Sequence, residues 1–135
     1  MKVRSYDALT DYDKIIGLVK QEKLTALYRK DKVLYKEAMS NSETFVLENE
    51  GEIIGFMRCI SDFTYTTYVM EVVAKEGTDK KEVFGLLLGK AERLALHGNC
   101  NIIADEAFLE DIGIYAALGY KYSGSGLRKS YIAKK

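Results

Sequence analysis

The run Tyr68-Val69-Met70-Glu71-Val72-Val73-Ala74 constrains the fold more than any other stretch, because it is apolar on both alternating faces and is broken only by Glu71. A strand of that kind belongs in mid-sheet with a layer packed on each side, since an open face would leave apolar side chains in water. It continues a β-branched and aromatic stretch that begins at Thr64. The chain has 135 residues, 47% apolar and 30% charged, which is enough for one core and too few for two ordinary domains. Residues 1–135 therefore read as a single domain.

The other elements follow from periodicity and punctuation. Val3 to Tyr6 reads as a short first strand, and Thr10 or Asp11 as the cap of a helix carrying Ile15, Ile16 and Val19 on one face. A second helix spans about Asp31 to Met39, with Leu34 and Ala38 at i, i+4. Thr44 to Leu47 and Ile53 to Ile60 flank Glu48-Asn49-Glu50-Gly51, whose glycine is free to take positive φ, and so predict a hairpin. From about Lys80 to His97, Val83, Leu86, Leu87, Ala91, Leu94 and Ala95 recur at helical spacing, and Gly98 stands where that helix would stop. A strand at about Cys100 to Ala104, a helix from Leu109 to Leu118 ended by Gly119, and two short strands around the Ser123 to Gly126 turn complete the chain. The order is β-α-α-β-β-β-α-β-α-β-β.

Charge and composition narrow the function. Twenty basic residues balance twenty acidic ones, so there is no long-range pull on nucleic acid or acidic lipid, and neither is expected as a partner. Apolar runs are short and Met1-Lys2 is followed by polar positions, which predicts a soluble cytoplasmic protein without a membrane segment. Cys59 and Cys100 lack the paired spacing of a metal site and are expected as reduced thiols; no metal is expected. The oligomeric state is not readable, with a homodimer left open.

Several motifs have ordinary explanations. Gly85-Leu86-Leu87-Leu88-Gly89-Lys90-Ala91 has neither the glycine spacing nor the hydroxyl residue of a nucleotide P-loop. Ser123-Gly124-Ser125-Gly126 reads as a hairpin turn, because no helix follows to complete a phosphate site. His97, the one histidine, has no metal or triad partners. Glu71 is different: a carboxylate in a two-faced apolar strand needs a partner or a cleft to offset desolvation. Tyr115 shares a helical face with Ile112 and Ala116 and, by spacing, is a core tyrosine; Arg58 and Asp62 read as an exposed ion pair at the end of the hairpin strand.

The stretch Thr44 to Tyr120 resembles the GNAT superfamily of N-acetyltransferases. Glu50-Gly51-Glu52-Ile53-Ile54-Gly55-Phe56 looks like that family's hairpin turn entering its third strand. Arg58-Cys59-Ile60-Ser61-Asp62 followed by Tyr68-Val69-Met70-Glu71-Val72-Val73 is similar to a subgroup with an arginine, an aspartate and a Tyr-x-x-acid-apolar central strand. Ile114-Tyr115-Ala116-Ala117-Leu118-Gly119-Tyr120 resembles the closing Tyr-x-x-x-Gly-aromatic helix. The resemblance implies an α+β sandwich: a mixed, mostly antiparallel sheet with helices on both faces. It also implies transfer of an acetyl group from acetyl-CoA to a primary amine of a small molecule or peptide. On that resemblance Glu71 would take the amine proton, Tyr115 would protonate the leaving thiolate, and a backbone N–H near Val72 or Val73 would polarise the thioester carbonyl. Glu71 and Tyr115 are expected to converge on one cleft, with Arg58 and Asp62 at its substrate mouth.

The same register places the family's Arg-x-x-Gly-x-Gly pyrophosphate turn on Asp79-Lys80-Lys81-Glu82-Val83-Phe84, where the arginine and both glycines are missing. Side chains there obstruct backbone approach to a phosphate. Asp79 and Glu82 have capping-box spacing, while Lys80 and Lys81 offer charge in return. At about 5 Å and an effective dielectric near 20, a carboxylate facing a phosphate costs on the order of 3 kcal/mol, about two decades of affinity. Replacing Glu82 and Phe84 together by glycine is expected to strengthen binding. The alternative function is a GNAT-fold protein with impaired cofactor binding that acts as a ligand-binding or interaction module.

Overall fold

Among the described residues nine elements follow one another as β1 (Lys2–Ser5), α1 (Ala8–Glu22), α2 (Lys32–Asn41), β2 (Glu43–Asn49), β3 (Glu52–Ser61), β4 (Thr66–Ala74), α3 (Lys80–Glu92), β5 (Asn99–Ile102) and α4 (Glu106–Ala117). The computed structural model describes residues 1–22, 31–103, 106–122, 127 and 129. The two strands expected around Ser123 to Gly126 lie outside the described residues. The sheet runs β1-β2-β3-β4-β5, antiparallel except for the parallel β4–β5 pair, so β4 lies inside the sheet, with β3 along its length and β5 beside Thr66 to Val69. None of the described helices is long and apolar enough to cross a membrane.

Each face of the sheet has its own core. Val69, Val72 and Ala74 pack with Val83, Phe84, Leu87, Leu88 and Ala91 of α3 and with Tyr115 of α4. On the other face Val46, Phe56 and Val73 pack with Ile15, Leu18 and Val19 of α1 and with Tyr35 and Met39 of α2. A strict period of two would put Val69 and Val73 on one face. They separate because β4 carries a bulge: Arg58 pairs with Glu71 but Cys59 pairs with Val69, leaving Met70 as the extra residue.

The hairpin between β2 and β3 is a two-residue loop, Glu50 at φ 51° and Gly51 at φ 79°, paired across Asn49 and Glu52. Two positive φ values in sequence match the right-handed twist of the flanking strands, and glycine takes the second without steric cost. Gly55, in β3, serves a different purpose. A Cβ there would stand 2.6 Å from Val83 Cγ1 and 3.0 Å from Val73 O, so its absence lets α3 approach the sheet. Gly55→Ala is expected to destabilise the fold by about 1–3 kcal/mol through overpacking, read as a lower urea midpoint. An unchanged midpoint would show that Val83 can turn aside.

Several boundaries differ from the sequence reading. Helix α1 starts at Ala8, with Asp7 Oδ1 accepting the Leu9 N–H at 2.9 Å, whereas Asp11 is fully buried and bidentate to Arg4 at 2.7 and 2.8 Å. That ion pair holds the Asp11 carboxyl below its usual range and fastens α1 to β1. In α2 the buried face is Tyr35 and Met39; Leu34 is exposed. Asp31 caps this helix by accepting from Val33 and Leu34 N–H. Helix α3 ends at Glu92, not His97, and Gly98 is not its stop signal. The chain there crosses the β3–β4 loop so closely that a Cβ on Gly98 would fall 1.5 Å from Tyr65 O, while His97 and Asn99 N–H donate to Thr64 and Tyr65 O.

Candidate active site

The bulge and the ends of two strands create the site. Pairing of β4 with β5 stops at Val69–Ile102, with Ile103 N–H still donating to Val69 O at 3.0 Å. Among the described residues β4 then runs on to Ala74 without β5 beside it. The Lys75 N–H donates to Ile54 O at 2.8 Å, so alternation turns the Val73 and Glu71 N–H groups towards β3 and the Val72 N–H towards the gap. Of the two positions named for a carbonyl-polarising N–H, Val72 faces the opening and Val73 belongs to the ladder.

Glu71 meets two partners from other elements. Tyr35, on α2, donates its phenol O–H to Glu71 Oε1, and Arg58 Nε, on the opposing rung of β3, lies 3.5 Å from the same oxygen. The Arg58 and Glu71 side chains are 6% and 9% exposed. At 3.5 Å the contact is an ion pair and not a hydrogen bond, so Arg58 Nε is buried without a hydrogen-bond acceptor, while Nη1 donates to Ser42 Oγ at 3.3 Å. Burial, then the adjacent carboxylate, push the Tyr35 phenol far above the usual tyrosine range, so it acts as a donor and stays neutral. Arg58 is thus paired with Glu71 and not with Asp62.

Asp62 does something else. Its Oδ1 accepts the N–H groups of Thr64, Tyr65 and Thr66 at 2.9, 2.8 and 3.0 Å, and those bonds hold the carboxyl below its usual range. It organises the β3–β4 loop. Thr66 and Glu71 are five steps apart along the strand, about 16 Å at the usual rise, so Asp62 does not reach the Glu71 end of the strand.

Tyr115 and Glu71 stand on opposite faces of the sheet, against the expectation from sequence that they converge on one cleft. The reason is the bulge, which turns Glu71 towards α2, while α4 packs against α3 on the other side. Tyr115 is 5% exposed, its ring 5.6 Å from that of Phe84 and edge-on to Tyr120 at 6.1 Å. Gly119, at φ 95°, ends α4 with Gly119 N–H on Ala116 O and Tyr120 N–H on Tyr115 O, both at 3.0 Å. The Tyr-x-x-x-Gly-aromatic pattern is therefore first a helix stop with an aromatic clasp.

The turn before α3 is closed by its own residues. Asp79 caps the helix by accepting the Glu82 N–H at 3.2 Å, and its own carbonyl accepts the Val83 N–H at 3.0 Å. Val83 and Phe84 are buried core residues. Lys80 Nζ lies 2.8 Å from Asp111 Oδ1, on α4, and 5.7 Å above the Phe84 ring; Lys81 and Glu82 are exposed. The donors left at this helix start are the N–H groups of Lys80 and Lys81. An open groove of about 420 Å³ between α1 and the hairpin turn is lined by Lys14, Leu18, Ile53 and the Glu52–Lys75 ion pair, and by none of these groups.

No family model and no curated protein sequence matches the chain. Solved structures do. It is similar to a GNAT-family acetyltransferase from Streptococcus pneumoniae, with a TM-score of 0.71 at 13% identity over 96% of this chain and 97% of that one. The aminoglycoside 6'-N-acetyltransferase AAC(6')-Ig from Acinetobacter haemolyticus gives 0.74 at 10% identity, over 99% and 100%. The aminoglycoside N-acetyltransferase AAC(6')-Iy, solved in complex with CoA, gives 0.72 at 13% identity, over 96% and 93%. The fold is that of the GNAT acetyltransferases: an α+β sandwich in which the described residues form five strands, mixed and mostly antiparallel, between two pairs of helices.

Proposed function

We propose that the chain transfers an acetyl group from acetyl-CoA to a primary amine of a small molecule or peptide. The observation that carries this reading is the end of the β4–β5 pairing at Val69–Ile102 among the described residues, two residues before Glu71, with strand alternation turning the Val72 N–H away from β3. A GNAT-fold neighbour holding CoA supports a CoA-derived cosubstrate, and neighbours named for aminoglycosides support an amine acceptor. Glu71 would accept the amine proton, directly or through one water, as nitrogen attacks the thioester carbon. The Val72 N–H would stabilise the oxyanion of the tetrahedral intermediate, and the Tyr115 phenol would protonate the departing thiolate. Glu71 and Tyr115 approach β4 from opposite faces, so the two roles require a thioester that passes β4 beyond the end of its pairing with β5. Lys80, Lys81 and their N–H groups would receive the pyrophosphate, with Asp79, Glu82, Val83 and Phe84 shaping the turn.

A second reading rests on that turn. Asp79 occupies one donor and Asp111 holds Lys80, which favours weakened cofactor binding and a ligand-binding or interaction role. Acetyl-CoA titration followed by thermal unfolding separates the two, since a ligand that binds the native state alone raises its stability. A dose-dependent rise in Tm, together with amine-dependent release of free CoA thiol, is expected. No shift at millimolar acetyl-CoA would favour the second reading.

A further inference from the structure

On the face of Arg58 and Glu71, the next rung of the sheet is Ile60 opposite Tyr68, and both residues are exposed, at 51% and 43%. Their side chains lie on the face of Glu71: Cys59 and Val69 belong to the α3 core, and the bulge at Met70 brings Tyr68 and Glu71 to the same side. The next strand adds Asn101, in register with Tyr68 and donating from Nδ2 to Thr66 Oγ1 at 3.1 Å. This strip is thus apolar and neutral along its length and ends on one carboxylate. That carboxylate is already compensated by Arg58 and receives the Tyr35 hydroxyl. Asp62, two residues beyond Ile60, spends Oδ1 on the loop.

A polycation needs several uncompensated carboxylates to offset the loss of water around each ammonium group. Among the described residues from Ile60 and Tyr68 to Glu71, Glu71 is the one anion and Arg58 matches its charge, while the Asp62 carboxylate stands beyond the far end of the strip. An amine with a single nitrogen on an aromatic or aliphatic body fits instead: its apolar part covers Ile60 and Tyr68, and its nitrogen is delivered to Glu71 in the neutral form that can attack a carbonyl. We infer that this face takes a monoamine with an apolar body in preference to a polyamine. The inference rests on the acetyl-transfer reading for its biological meaning, but its test does not need turnover.

Titrating 2-phenylethylamine and, separately, spermidine into the free protein while following Ile60 methyl and Tyr68 ring resonances by NMR tests it. Saturable shifts at both residues, with a dissociation constant at least about tenfold tighter for 2-phenylethylamine, are expected. Ile60→Asp adds an uncompensated carboxylate at an exposed site and should reduce or reverse that ratio. Spermidine binding as tightly as 2-phenylethylamine, or shifts from 2-phenylethylamine that bypass Ile60 and Tyr68, would overturn the inference. Because no acetyl-CoA is present, failure of the transferase reading would show up separately, as absence of CoA thiol release with amines that do bind.

Discussion

Arg58→Met is expected to lower the free energy of unfolding by about 3–5 kcal/mol, the usual cost of breaking a buried ion pair from one side. Both side chains are nearly sealed from solvent, and removing the guanidinium takes away the cation 3.5 Å from the Glu71 carboxylate while the Tyr35 hydroxyl stays. The loss comes from the stranded charge and not from the worth of the pair. The double variant Arg58→Met, Glu71→Leu should therefore recover most of it, and it can match or exceed the parent, because two apolar groups of similar volume need no desolvation. Tyr35→Phe removes one hydrogen bond to a charged group and is expected to cost about 1.5–3 kcal/mol. Urea unfolding of the four proteins measures all three effects. A loss below about 1 kcal/mol for Arg58→Met would mean that water reaches Glu71 freely, and the cluster would then be a surface pair.

The same cluster shows what the sequence could and could not reveal. Glu71 stood out because a carboxylate in a two-faced apolar strand must be satisfied somewhere, and it is. Its partner was also readable in part, since Arg58 lies in the preceding strand, but antiparallel register depends on the bulge at Met70, and no residue type marks that bulge. The bulge also decides which face Glu71 takes, so the separation of Glu71 from Tyr115 was invisible to a period of two. Tyr35 was missed for a related reason. Helical spacing supports both the Leu34–Ala38 and Tyr35–Met39 stripes, which differ by about 100° of rotation, and only the position of the sheet selects between them. Thr10 or Asp11 reads as a cap because both residue types are good caps; burial of Asp11 against Arg4 is a tertiary fact. The hairpin at Glu50-Gly51, the cap at Asp79 and the helix stop at Gly119 were legible because each is a local backbone requirement.

Asp79→Ser is expected to tighten acetyl-CoA binding about tenfold without loss of stability. Serine is as good an N-cap acceptor as aspartate, so the Glu82 N–H remains satisfied and α3 keeps its start. What disappears is a negative charge at the place where a phosphate would sit. Two charges about 5 Å apart interact with about 3 kcal/mol at an effective dielectric near 20, and because Asp79 is exposed, salt screening leaves roughly half of that. Asp111→Asn should add to the gain by releasing Lys80 Nζ from its 2.8 Å contact. Glycine at positions 82 and 84, the substitution the sequence suggested, is the wrong probe. Phe84 is fully buried against Tyr115, so its removal should cost about 3–5 kcal/mol and take the α3–α4 packing with it. The two dissociation constants, measured at one salt concentration on proteins of equal Tm, decide the matter. If Asp79→Ser binds no better than the parent, the capping carboxylate is not the obstacle, and the bulk of the buried helix start, which keeps the backbone away from the phosphates, must be.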